Sequence, residues 1–254
     1  MNRGIRELVL LAVLYVGYSA SRLVADDALT PAAARALQLL DLEQLLWLDI
    51  EALLNGWFAA VPILGLLASY WYATLHYVVT AGVLVWLYRR GPADYLPPRT
   101  SLAIATILGL VLYLMVPMAP PRLLDGYVDV LALHADAGWW GADASAPRGL
   151  GGLTNELAAF PSLHAGWSLW VALVVRRHVR LRWVHGLAWA YTAGTTVVIV
   201  GTANHWLLDA VVGWIVVMAA WEIVRETGSR PRGEQSAPPA VAASREGVSF
   251  VDGG

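Results

Sequence analysis

What most constrains this chain is a series of apolar stretches, each near the roughly 20 residues a helix needs to cross about 30 Å of hydrocarbon. Six come near that length, separated by polar or Pro/Gly-rich breaks: Ile5 to Val24, Pro62 to Tyr88, Ser101 to Val116, Ser162 to Val175, Trp183 to Val200 and His205 to Val224. Backbone groups in lipid must find their hydrogen bonds within the protein, and successive apolar segments of this length do so as helices. The expected fold is therefore all-α, a polytopic membrane protein built as a six-transmembrane-helix bundle. A composition 58% hydrophobic and 14% charged, with mean hydropathy +0.56, departs from soluble domains in the same direction. The first stretch is the weakest. Its uninterrupted apolar core runs only from Leu8 to Ala20, and Arg3 and Arg6 ahead of it with "YSA" at its end also fit a cleaved signal peptide.

Between the first two spans, "RALQLLDLEQLLWLDIEALLNGW" repeats leucines at helical spacing among Asp41, Glu43, Asp49 and Glu51. That pattern predicts an amphipathic helix lying in the membrane interface. The end of the chain, "GSRPRGEQSAPPAVAASREG", is small, polar and proline-bearing, which predicts a disordered tail. Two regions follow: a membrane-embedded domain over 1–227 and a cytoplasmic tail over 228–254. Cysteine is absent, so disulfides, thiolate metal sites and thiol nucleophiles are excluded. All 17 basic residues are arginine, and no patch of them suits nucleic acid. Any anion site must use Arg, His or backbone N–H groups.

Arginine placement sets the expected orientation, because cytoplasmic loops retain positive charge. Arg3 and Arg6, then Arg89, Arg90 and Arg99, then Arg176, Arg177, Arg180 and Arg182, then Arg225, Arg230, Arg232 and Arg245 all fall on one side of the six spans. The opposite loops carry Arg22, Arg35, Arg122 and Arg148 with most of the acids. Both termini are thus expected in the cytoplasm, with the chain in the plasma membrane. "VPMAPPRLL", "FPSLHAG" and "TANHWLLDAVVGW" are then all expected at the outer face, where Arg122, His164, His205 and Asp209 can meet.

The chemistry of those four is complementary. His205 and Asp209 are one helical turn apart, so the carboxylate can accept a hydrogen bond from the imidazole and support a developing positive charge, as a nucleophilic histidine needs. Pro161 suits a first helical turn, whose free N–H groups and dipole make an anion site to which Ser162 adds a hydroxyl. His164 can protonate an oxygen leaving that anion, and Arg122, after the rigid "APP", can hold a phosphate bidentately. His76, an ionisable group at membrane depth, is a further functional candidate or equally a buried hydrogen bond between helices; with Tyr72 and Asn204 it is a candidate to line the substrate. His134, His178 and His185 read as interfacial polar groups, and the 13 tryptophans as interfacial belt and helix packing. Two imidazoles and a carboxylate are also an ordinary zinc set, and an anion-binding transporter or lipid-binding scaffold would keep the same cluster.

"PSLH" followed by a histidine with an aspartate four later resembles the type 2 phosphatidic acid phosphatase superfamily. "APPR", "FPSLHAGW" and "NHWLLDAVVGW" are most similar to its inositol phosphorylceramide synthase-like (inositolphosphotransferase) branch, as found in bacteria. The similarity covers about Leu42 to Trp221. It implies a six-helix core and a metal-independent, cofactor-free enzyme that works in two steps through a phosphohistidine. His205 would be the nucleophile, Asp209 its orienter, His164 the general acid and Ser162 a phosphate-binding position. The substrate would be a phospholipid or prenyl phosphate, with an alcohol as acceptor, or water if the enzyme is a lipid phosphate phosphatase. The phosphatase branch carries a lysine and an arginine in its first motif and a Ser-Arg pair before the nucleophile. Here lysine is absent and Val198 and Ile199 take the pair's places, leaving Arg122, and Arg148 as a further arginine, to meet the phosphate. A diester or headgroup phosphate carries less charge than a terminal monoester, which leans the reading toward the transferase.

Overall fold

The computed structural model describes residues 29–141 and 156–229, with six helical positions ahead of them, Gly4, Ile5, Glu7, Val9, Leu10 and Val13. Arg148, most of the first predicted span and nearly all of the predicted tail lie outside the described residues. Among the described residues the regular secondary structure is helical, apart from one isolated parallel bridge between Met118 and Ala158. The helices are α1 (Leu29–Leu45), α2 (Glu51–Ala60), α3 (Pro62–Tyr70), α4 (His76–Arg90), α5 (Pro92–Met115), α6 (Val130–Leu133), α7 (Leu163–His178), α8 (Arg182–Gly201) and α9 (Leu207–Ser229). A π-helical turn, Trp71–Leu75, joins α3 to α4, and short 3-10 turns occupy Pro121–Leu123 and Ala135–Ala137.

Three helices are long and apolar enough to cross a membrane: α5, α8 and Leu207–Thr227 of α9. A fourth is reached if α2 and the Pro62–Arg90 helix, bent by 109° at Val61, count as one broken span. The six expected spans are therefore not reproduced among the described residues. The helix at the fourth predicted span, α7, has 16 residues, about 24 Å at 1.5 Å per residue. It is also largely enclosed, with Trp170 and Val174 at 0% exposure. Its neighbours hold it by side-chain bonds to backbone: Trp170 Nε1 donates to the Pro98 carbonyl of α5 at 2.9 Å, and Thr192 Oγ1 of α8 donates to the Ser168 carbonyl at 3.0 Å. Large apolar side chains on α4, α5, α8 and α9 point outward, among them Val78, Val111, Leu187 and Ile215. A surface of that kind suits lipid.

The amphipathic segment differs from its expectation. Rather than one helix it forms two, broken where Trp47 takes φ 59°. Asp41 and Asp49 are exposed as a polar face requires, but Glu43 and Glu51 are both at 0% exposure. The reason is local: Glu43 Oε1 accepts from the Leu208 N–H at 2.7 Å, and Glu51 Oε1 from the Leu207 N–H at 2.9 Å. Backbone donors at the start of α9 have no partner within their own helix, and the two glutamates supply it.

Candidate active site

Three chain segments build the site. The first is the turn from Thr202 to Trp206 between α8 and α9. It is closed by bonds from the Asn204 and His205 N–H groups to the Ile199 carbonyl, with Ala203 in the left-handed region at φ 58°. The second is "APPR", whose Arg122 N–H donates to the Ala203 carbonyl at 2.8 Å, while Trp206 Nε1 donates to the Ala119 carbonyl at 3.0 Å. The third is the start of α7, drawn onto the first turn of α9 by the bond from the Ser162 N–H to the Asp209 carbonyl at 3.0 Å.

These contacts bring the predicted residues together. The rings of His164 and His205 have centroids 5.5 Å apart. His205 Nδ1 lies 2.7 Å from the Ala159 carbonyl, which can only accept, so Nδ1 carries the proton. The Nε2 lone pair of neutral His205 is then unprotonated. Asp209 is at 0% exposure with Oδ2 3.7 Å from His205 Nδ1, an ion-pair distance and not a hydrogen bond. That corrects the expected imidazole-to-carboxylate bond. His205 precedes the helix instead of standing on it, and Asp209 Oδ2 reaches back to the Trp206 N–H at 2.8 Å, as the third helical residue of a capping box does.

Ser162 is the N-cap of α7. Its Oγ accepts from the Ala165 N–H at 3.3 Å and it is fully buried. Pro161, expected inside the first turn, lies before that cap, after a cis peptide bond from Phe160. The Arg122 side chain is 6% exposed, donating from Nε to Asn204 Oδ1 at 3.0 Å with Asp129 Oδ2 3.9 Å away. Its guanidinium is thus tied to the residue preceding His205.

His76 and Tyr72 also reach this point. The Tyr72 ring stacks on His164 at 4.4 Å and lies 6.3 Å from His205, and the His76 ring is 4.0 Å from His164. The π-helical turn that places them has no composition signature; insertions of this kind recur at functional sites. Among the described residues no group of three or more His, Cys, Asp or Glu side chains is placed to hold a metal ion.

Sequence reasoning missed Glu43, Glu51, the Ala159 carbonyl and Asn55. Asn55 Nδ2 donates to the Val128 and Gly201 carbonyls at 2.9 and 3.1 Å, and its Oδ1 accepts from the Val128 N–H at 2.8 Å. Two glutamates within a leucine-rich segment were the available signal; a backbone carbonyl leaves none.

No curated protein and no solved structure matches the chain. The family model of the PAP2 superfamily matches residues 37–223, a range holding α2, the π-helical turn and the whole His164–His205 constellation. With a match over most of its length, the chain belongs to the PAP2 superfamily, a group of phosphatase- and phosphotransferase-type enzymes acting on lipid phosphates.

Proposed function

We propose that this protein transfers a phosphoryl or phospho-headgroup group from a lipid phosphate ester to an alcohol through a phosphohistidine, as in the inositol phosphorylceramide synthase-like branch. The observation that carries this reading is the pairing of His205, its Nδ1–H given to the Ala159 carbonyl, with His164 one ring separation of 5.5 Å away. In the first step His205 Nε2 attacks phosphorus and the bond to the lipid oxygen breaks, with a proton from His164 going to that oxygen. In the second, His164 takes the proton of the acceptor hydroxyl, whose oxygen attacks phosphorus, and the P–N bond breaks to restore neutral His205. Asp209, 3.7 Å from Nδ1, supports the imidazolium charge that exists while phosphorus is attached. Arg122, Arg148 and the start of α7 with Ser162 meet the phosphate oxygens, and His76, Tyr72 and Asn204 line the substrate.

The lean toward a transferase rests on charge. Val198 and Ile199, at 7% and 0% exposure, are buried apolar side chains where the phosphatase branch places a Ser-Arg pair, and the chain has no lysine. A site with fewer cations suits a phosphate bearing less charge. The site opens at the outer face of the plasma membrane, with both termini cytoplasmic, the 1–227 region embedded and the 228–254 tail outside the bilayer. No metal enters any step, so turnover should survive exhaustive chelation.

The test is a lipid panel on purified wild type beside His205→Ala, with and without alcohol acceptors and with products identified by mass. Wild type should give the alcohol-linked phosphate product, and His205→Ala should lose turnover by about 10⁴-fold or more while remaining folded. Retained turnover in that variant overturns the mechanism. Release of free phosphate, whatever alcohol is supplied, replaces the transferase reading with a lipid phosphate phosphatase using water.

A further inference from the structure

The first turn of α9 is held by three acids. Asp209 Oδ2 takes the Trp206 N–H at 2.8 Å, Glu51 Oε1 the Leu207 N–H at 2.9 Å and Glu43 Oε1 the Leu208 N–H at 2.7 Å. All three are at 0% exposure. A helix N-terminus offers roughly half a positive charge, too little for three buried carboxylates, and among the described residues neither glutamate is ion-paired. The Oε2 atoms of Glu43 and Glu51 accept from no N–H or O–H group. The two carboxyls also lie within hydrogen-bonding reach of each other, so one proton held between them satisfies both atoms and removes one charge.

We propose that Glu43 and Glu51 form a proton-sharing acid pair that clamps the first turn of α9 and so positions His205, making them positioning residues for the reaction. This rests on the reading of His205 as nucleophile. The link is short: the clamped N–H groups belong to the second and third residues after His205, and Asp209 completes the same turn. Burial, first, and the neighbouring Glu51 and Asp209 charges push Glu43 up to about 8, against the opposing Leu208 N–H bond. The other groups facing the pair are Asp49, beside Glu51, and the Tyr127 phenol, which burial holds at about 12 and which stays neutral across this range. A carboxyl raised in the folded state contributes its full stability below its unfolded value, 4.5, and loses it progressively as pH rises from there to about 8, above which nothing further is lost. Above that pH two buried anions repel and the turn loosens.

The experiment compares wild type, Glu43→Gln and Glu43→Ala in detergent, following kcat, KM and thermal unfolding from pH 6 to 10. Gln keeps an acceptor for Leu208 and a donor for Glu51. Its kcat near pH 7 should stay within about threefold of wild type, while the alkaline fall of kcat near pH 8 and the fall of Tm from pH 6 to 8 both disappear; Ala should lower kcat about tenfold or more at nearly constant KM. An identical alkaline fall in Glu43→Gln, or full kcat in Glu43→Ala, overturns the clamp. If Glu43→Gln fails to fold, wild type alone decides: a Tm that falls from pH 6 to about 8 and levels off above it supports the pair, and a Tm constant over that range overturns it. If wild type and His205→Ala turn over equally, the functional reading fails, and the Tm comparison still judges the acid pair.

Discussion

His205 has its tautomer set by a backbone carbonyl, which separates two jobs that a neighbouring carboxylate often does together. The Ala159 carbonyl fixes the proton on Nδ1, and Asp209 at 3.7 Å contributes charge and helps close the turn through the Trp206 N–H. Asp209→Asn keeps an acceptor for that N–H and leaves the tautomer alone, so it isolates the charge. A unit charge about 4 Å away is worth up to about 4 kcal/mol at an effective dielectric of 20, so kcat should fall by about 10² to 10³ with Tm little changed. Asp209→Ala removes the turn's acceptor as well and should lower Tm too. If steady-state kinetics show Asn and Ala losing kcat equally with equal Tm, the division of roles is wrong. The spacing of His205 and Asp209 was legible in the sequence, but their partners were not. Ala159 stands 46 positions from His205 and acts through a group that every residue has. His76 was legible as a candidate for a different reason: an imidazole within an apolar span is either functional or a buried hydrogen bond between helices, and its ring lies 4.0 Å from His164.

Between elements, the site depends on how closely α7 and α9 approach. A Cβ at Gly213 would lie 2.2 Å from the Ser162 carbonyl oxygen and 3.4 Å from the Gly166 nitrogen, so two backbones meet where the N-cap of α7 crosses α9. The obstacle is main chain, which cannot rotate away. Gly213→Ala should therefore cost about 3 kcal/mol or more, and it should move Ser162 and His164 away from His205, with kcat falling alongside Tm. Gly186, within α8, has nothing within 4 Å of its Cβ position. Gly186→Ala should leave kcat unchanged and stabilise by about 0.5–1 kcal/mol. Thermal unfolding and kinetics on the two variants test the contact, and equal behaviour would remove it. Helix type at long apolar runs was readable from the sequence, because length and periodicity decide it. The break at Trp47 and the π-helical turn at Trp71–Leu75 were not, since each answers to a tertiary demand. The first lets Glu43 and Glu51 both reach α9, and the second brings Tyr72 and His76 to His164.

Across the whole molecule, the segments that meet at His205 are APPR, the Phe160–His164 stretch and the Thr202–Trp206 turn, and all three lie at one end of the α7–α8–α9 packing. The arginines flanking the spans, such as Arg176 and Arg177 in the last turn of α7 and Arg180 between α7 and α8, lie at the other end and are exposed. Hydropathy alone does not distinguish a helix enclosed by protein from one bathed in lipid. α7, with 16 residues and a buried face, belongs more to the first kind. The proposed orientation follows from this charge asymmetry, and the absence of cysteine allows a direct test. Single cysteines at Asp125, exposed beside the APPR segment, and at Arg180, exposed in the α7–α8 connection, leave both ends of the bundle intact. In intact cells a membrane-impermeant maleimide should label Asp125→Cys and not Arg180→Cys, with both labelled after permeabilisation. The reverse pattern would place the histidine pair on the cytoplasmic side, so that its lipid phosphate and acceptor alcohol would have to come from the inner leaflet.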